Sequence, residues 1–119
     1  MKNWLVQQAK FLFWGWLMVI LVLSFLPKSK IPEISLIFSP DKLVHIIMYA
    51  TLVTLMKVAY PNLKMILVVG IAILLGTMIE FLQPIITNRN FETYDIIANA
   101  VGSIVGIVIL KFIVKQAKL

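Results

Sequence analysis

Four long apolar runs alternate with short polar stretches along this chain. The first, Phe11 to Leu26, contains no charged residue, and with part of Leu5 to Lys10 it reaches the roughly 20 helical residues needed to cross a hydrocarbon core of about 30 Å. No small-x-small cleavage pattern precedes Lys28, where the chain reads Phe25-Leu26-Pro27, so an uncleaved span is expected. Pro27-Lys28-Ser29-Lys30-Ile31-Pro32-Glu33 then breaks the helix with two prolines and three charges. Ser39-Pro40-Asp41 predicts the next start, with Ser39 as N-cap, Pro40 at the first helical position and Asp41 complementing the positive dipole end. Pro61-Asn62-Leu63-Lys64 forms a turn, and Thr87 to Thr93 a polar hinge. The predicted spans are about 7–26, 42–60, 65–84 and 94–114 in one all-α domain over residues 1–119, a polytopic four-transmembrane-helix bundle.

Composition agrees with the pattern. Of 119 residues, 61% are hydrophobic and 13% charged, and the mean hydropathy is +1.01, against about 45–50% apolar residues in soluble domains. The net charge of +6 does not point to nucleic acid, because the basic residues are dispersed around apolar runs instead of clustered. Membrane lipids are the expected partners. The absence of cysteine excludes disulfide and thiolate chemistry.

Charge distribution predicts an orientation. Lys2, Lys10, Lys57, Lys64, Lys111, Lys115 and Lys118 fall on one side and Lys28, Lys30, Lys42 and Arg89 on the other, seven against four. The positive-inside rule then puts both termini in the cytoplasm. All five carboxylates, Glu33, Asp41, Glu80, Glu92 and Asp95, belong to the outer half.

Helical spacing of about 100° per residue gathers the polar residues of three spans into stripes. Asp41, Lys42, His45 and Tyr49 share a face of the second span; Gly76, Thr77, Glu80, Gln83 and Pro84 share one of the third; Glu92, Asp95, Asn99, Gly102, Ser103 and Gly106 share one of the fourth. Pro84 is expected to bend its helix, since its ring crowds the carbonyl of Glu80. Gly102 and Gly106 form a G-x-x-x-G that admits a close helix neighbour. Burying three polar stripes against one another is cheaper than exposing them to lipid, which predicts one outer-facing site. Each residue also has a plain structural reading: Asp41 as a dipole partner, His45 and Asn99 as interhelical hydrogen-bonding groups, Tyr49 as packing, and Arg89 as a nonspecific lipid-phosphate contact.

These residues resemble the VanZ-like family of small bacterial membrane proteins, named for an accessory protein associated with teicoplanin resistance. The resemblance rests on Leu23-Ser24-Phe25-Leu26-Pro27, Asp41-Lys42-Leu43-Val44-His45 with Tyr49, Glu80 with Gln83, and Arg89, Glu92, Asp95, Asn99, Gly102 and Gly106. It covers nearly the whole chain. Asn88 stands where the family pattern leads one to expect glycine, and asparagine also tolerates a left-handed turn. The resemblance implies a multi-pass protein of the bacterial cytoplasmic membrane linked to glycopeptide resistance.

Three functions compete at this level. In the first, the outer cluster binds the headgroup of an envelope lipid or lipid-linked cell-wall precursor, or a glycopeptide. Arg89 and Lys42 would meet phosphate or carboxylate, and Asn99, Gln83 and Tyr49 would supply neutral hydrogen bonds. In the second, Asp41, His45, Glu80 and Asp95 form an acid/base site of an intramembrane enzyme acting on an envelope lipid. One histidine without cysteine argues against a zinc site, and no metal or cofactor is expected. In the third, the chain is a transporter or the partner of a larger envelope machine. Stripes confined to one half of the membrane make no through-path, so transport by a single protomer is the weakest of these.

Overall fold

The computed structural model describes residues 3–26, 40–87 and 91–117. The first loop with Pro27 and Pro32, the Ser39 cap and the Asn88 hinge position lie outside the described residues. Four helices follow one another: α1 (Asn3–Ser24), α2 (Pro40–Ala59), α3 (Met65–Ile86) and α4 (Thr93–Ala117). There is no strand among the described residues. Each helix is long and apolar enough to cross a membrane, as the hydropathy pattern predicts, and the chain is a multi-pass membrane protein.

The helices assemble around α2. Its most extensive interface is with α4; α1 packs on α2 and α3 on α4, while α1 and α3 barely touch. Glycine sets the closeness of the α2–α4 contact. A Cβ added at Gly102 would meet the Ile46 backbone, with its Cα at 2.8 Å, and one added at Gly106 would lie 2.7 Å from the Cα of Ala50. Any larger residue must separate the two helices, so backbone-to-backbone packing here depends on the G-x-x-x-G spacing. Next to it, Tyr49, Leu52, Val53, Met56 and Ala59 of α2 form a buried stripe at helical spacing, closed by Val68, Ala72 and Ile79 of α3 and Ile20 of α1.

The helix ends explain themselves locally. Lys57 donates to the carbonyls of Pro61 at 2.7 Å and Leu63 at 2.6 Å, satisfying acceptors that the α2–α3 turn would otherwise leave open. α3 runs through Pro84 and ends at Ile86, where the backbone N–H and hydroxyl of Thr87 both donate to the Gln83 carbonyl, at 2.9 and 2.8 Å. Pro84 corrects the predicted stripe. Gly76, Glu80 and Gln83 are buried, but Pro84 is exposed on the outer side, because the step from Gln83 rotates it by about 100° away from the interior.

Candidate functional site

The beginnings of α2 and α4 and the end of α3 meet at one end of the bundle. Lys42, in the first turn of α2, faces the positive end of its own helix dipole, which disfavours a cation. Two carboxylates from the start of α4 compensate. Lys42 Nζ lies 2.5 Å from Glu92 Oε2 and 2.5 Å from Asp95 Oδ1. Both carboxylates sit where the α4 dipole favours negative charge. The Lys42 and Asp95 side chains are only 8% and 4% exposed, whereas Glu92 is 39% exposed. The ammonium is therefore held against the start of α4, with Asp95 on the buried side and Glu92 on the accessible one.

One turn along α2, His45 faces the same surface of α4. Its Nδ1 is 2.9 Å from Asn99 Oδ1. A carbonyl oxygen only accepts, so in this pairing Nδ1 carries the hydrogen. The second ring nitrogen, Nε2, lies 3.8 Å from Asp95 Oδ1. Asn99 is placed by a gap in α3: a Cβ at Gly76 would come within 2.7 Å of its Nδ2. Below it, the Ser103 hydroxyl donates to the Asn99 carbonyl at 2.8 Å inside α4.

Glu80 ties α3 to the cluster by accepting the backbone N–H of Glu92 at 2.7 Å. This bond satisfies a donor just before α4, one of the groups that helix starts leave without an intrahelical partner. Tyr49 is fully buried in α2, with its phenol within electrostatic reach of both Glu80 and Asp95. Gln83 turns elsewhere and donates to the Ser24 carbonyl at 2.7 Å. That acceptor belongs to the last turn of α1, where carbonyls lack helical donors.

Lys42, His45, Glu80, Glu92, Asp95 and Asn99 thus form one connected cluster with Tyr49 beside it, and Gln83 links α3 to α1 instead. Arg89 and the Asp41 side chain lie outside the described residues. The expected ligand role of Lys42 meets a structural fact: its ammonium is held by two carboxylates. Glu92 and His45, whose side chains are 39% and 14% exposed, are the more accessible members. Among the described residues no three His, Cys, Asp or Glu side chains group as a metal would require. Two contributions escaped the sequence reading, the Ser24 carbonyl and the clearance at Gly76. The first had a signal, because a helix ending just before Pro27 must leave carbonyls seeking donors. The second had none, since which side chain fills a glycine gap depends on the packing of α3 against α4.

Neither a curated protein nor a solved structure matches the chain. The family model described as VanZ/LLP1 matches residues 11–114, most of the chain, and the chain belongs to that family.

Proposed function

We propose that this VanZ-family membrane protein binds the headgroup of an envelope lipid or lipid-linked cell-wall precursor at the polar end of its bundle, and that this binding underlies teicoplanin-type glycopeptide resistance in a bacterial host. One observation carries the reading. Charged and amide side chains from three helices are buried together at one end of an otherwise apolar bundle, and ionisable residues retained at membrane depth mark ligand or ion sites. The seven-to-four division of Lys and Arg orients that end outward and both termini toward the cytoplasm.

Glu92 and His45 form the accessible rim of this site, Asn99 and Tyr49 supply neutral hydrogen bonding behind it, and Arg89 contributes the cation. Lys42 acts from inside, holding Glu92 and Asp95 in place. The test is glycopeptide susceptibility of cells carrying Glu80→Ala or Arg89→Ala, with expression and folding verified. Loss of protection in both is expected, and full protection in both would refute the binding site.

A second reading draws on the histidine geometry. With Nδ1 2.9 Å from Asn99 Oδ1 and Nε2 3.8 Å from Asp95 Oδ1, His45 is held between an amide and a carboxylate, as a group that relays a proton would be. In that reading the protein transforms an envelope lipid. Turnover of a labelled envelope-lipid extract by the purified protein, abolished in His45→Ala, would support it. Absence of any turnover leaves the binding reading in place.

A further inference from the structure

α1 is the least buried of the four helices, and its outer side is shaped. Gln7, Lys10, Phe11, Trp14, Gly15 and Met18 line an open groove of about 510 Å³. Their spacing is that of one helical face. Gly15 forms the hollow, because a Cβ added there would have no atom within 4 Å. From Gln7 to Met18 the helix rises about 16 Å, roughly half of a hydrocarbon core of about 30 Å. The groove therefore has the length of one acyl chain in one leaflet.

Its two ends differ in chemistry. Met18 lies at the deep end, while Gln7 and Lys10 lie at the end nearer the interface. Lys10 is positioned by aromatic residues. Its Nζ stands 5.4 Å from the centre of the Tyr60 ring, the Tyr60 hydroxyl accepts Trp14 Nε1–H at 3.0 Å, and Phe13 meets that ring edge-on. Among the described residues the acidic ones belong to the opposite end: Asp41 opens α2, Glu80 is near the close of α3, and Glu92 and Asp95 open α4. Among the described residues no Asp or Glu side chain at this end competes for Lys10. The charge that complements such a head is a phosphate not offset by a cation of its own.

We infer that the α1 groove is a binding site for an anionic phospholipid, with the phosphate on Lys10 and Gln7 and one acyl chain lying over Gly15 between Phe11, Trp14 and Met18. This site lies at the opposite end of the bundle from the ionic cluster, and it does not depend on the function proposed for that cluster.

The test is native mass spectrometry of the full-length protein in detergent, titrated with phosphatidylglycerol and with phosphatidylcholine of identical chains. Preferential retention of phosphatidylglycerol is expected. One lysine near a membrane surface accounts for about fivefold in affinity, so Lys10→Gln should weaken that retention by about that factor and Lys10→Arg should restore it. Gly15→Leu fills the hollow without altering charge and should also weaken retention. Lys115→Gln, which removes an exposed lysine at the same end, should leave it unchanged. Helical content is compared by circular dichroism for every variant, and Lys10→Arg and Gly15→Leu carry the test should Lys10→Gln misfold. Equal retention of both lipids by the parent protein would overturn the proposal. So would a loss in Lys115→Gln as large as in Lys10→Gln, which marks a diffuse basic belt, or the absence of any effect in Gly15→Leu.

Discussion

Replacing Lys42 by methionine asks how the polar end of the bundle is held together. Lys42 Nζ and Asp95 Oδ1 are 2.5 Å apart, and two unit charges at that separation attract by about 7 kcal/mol at an effective dielectric of about 20. Desolvating the ammonium and the carboxylate costs several kcal/mol each, so the intact pair contributes little net stability. Glu92 adds less than about 1 kcal/mol, because water screens a side chain that is 39% exposed. Removing the lysine alone has a different outcome. Asp95 keeps its desolvation, at 4% exposure, but loses its counter-ion, and breaking such a buried pair costs about 3–5 kcal/mol. Lys42→Met/Asp95→Leu removes both charges and should recover most of that loss. Asp95→Leu alone should fall between the two, since Lys42 retains Glu92. Unfolding in detergent, followed by far-ultraviolet circular dichroism, gives the four free energies of a double-mutant cycle, with a coupling of at least about 3 kcal/mol expected. The reasoning fails if Lys42→Met lies within about 0.5 kcal/mol of the parent, the ordinary range for an inconsequential surface change, or if the double variant is no more stable than Lys42→Met.

Gly76→Ala should push the Asn99 amide away from His45, because the new methyl would stand 2.7 Å from Asn99 Nδ2. His45 is the only histidine, so its imidazole nitrogen resonances report the loss of the Nδ1 bond directly; unchanged resonances would contradict the placement. Gly106→Leu should destabilise the bundle by about 1–3 kcal/mol through overpacking against Ala50 and Val53, read by the same unfolding assay. Gln83→Leu takes a donor from the Ser24 carbonyl, with an expected cost of about 1 kcal/mol and faster amide exchange in the last turn of α1.

Much of this architecture was legible because the bilayer imposes a simple rule. A run that must satisfy all its backbone groups internally becomes a helix, and the interruption around Pro61 could only be a turn. The polar stripe of α4 was equally readable, since Asp95, Asn99, Gly102, Ser103 and Gly106 recur at helical spacing and all are buried. Spacing did not reveal pairing. Lys42 has the chemistry to meet a ligand phosphate as readily as a protein carboxylate, and only the register of α2 against α4 directs it to Glu92 and Asp95. Gln83 shares a face with Glu80 yet reaches α1, because the α1 terminus happens to offer an acceptor there. Pro84 followed the angular count least well, as a residue adjacent to a buried position lies about 100° from it.

The two glycine contacts on α4 have a consequence for genetics as well as for packing. A slip of one helical turn between α2 and α4, about 5.4 Å, would separate Lys42 from its carboxylates and His45 from Asn99 at once. Gly102 and Gly106 fix that register without touching any charged group. In a screen for loss of activity, substitutions at these silent positions will therefore mimic substitutions of the ionic residues themselves. Stability measurements separate the two classes: glycine variants should lose helix association and activity together, whereas changes at the accessible rim, such as Glu92→Gln, should lose activity from a bundle that remains assembled.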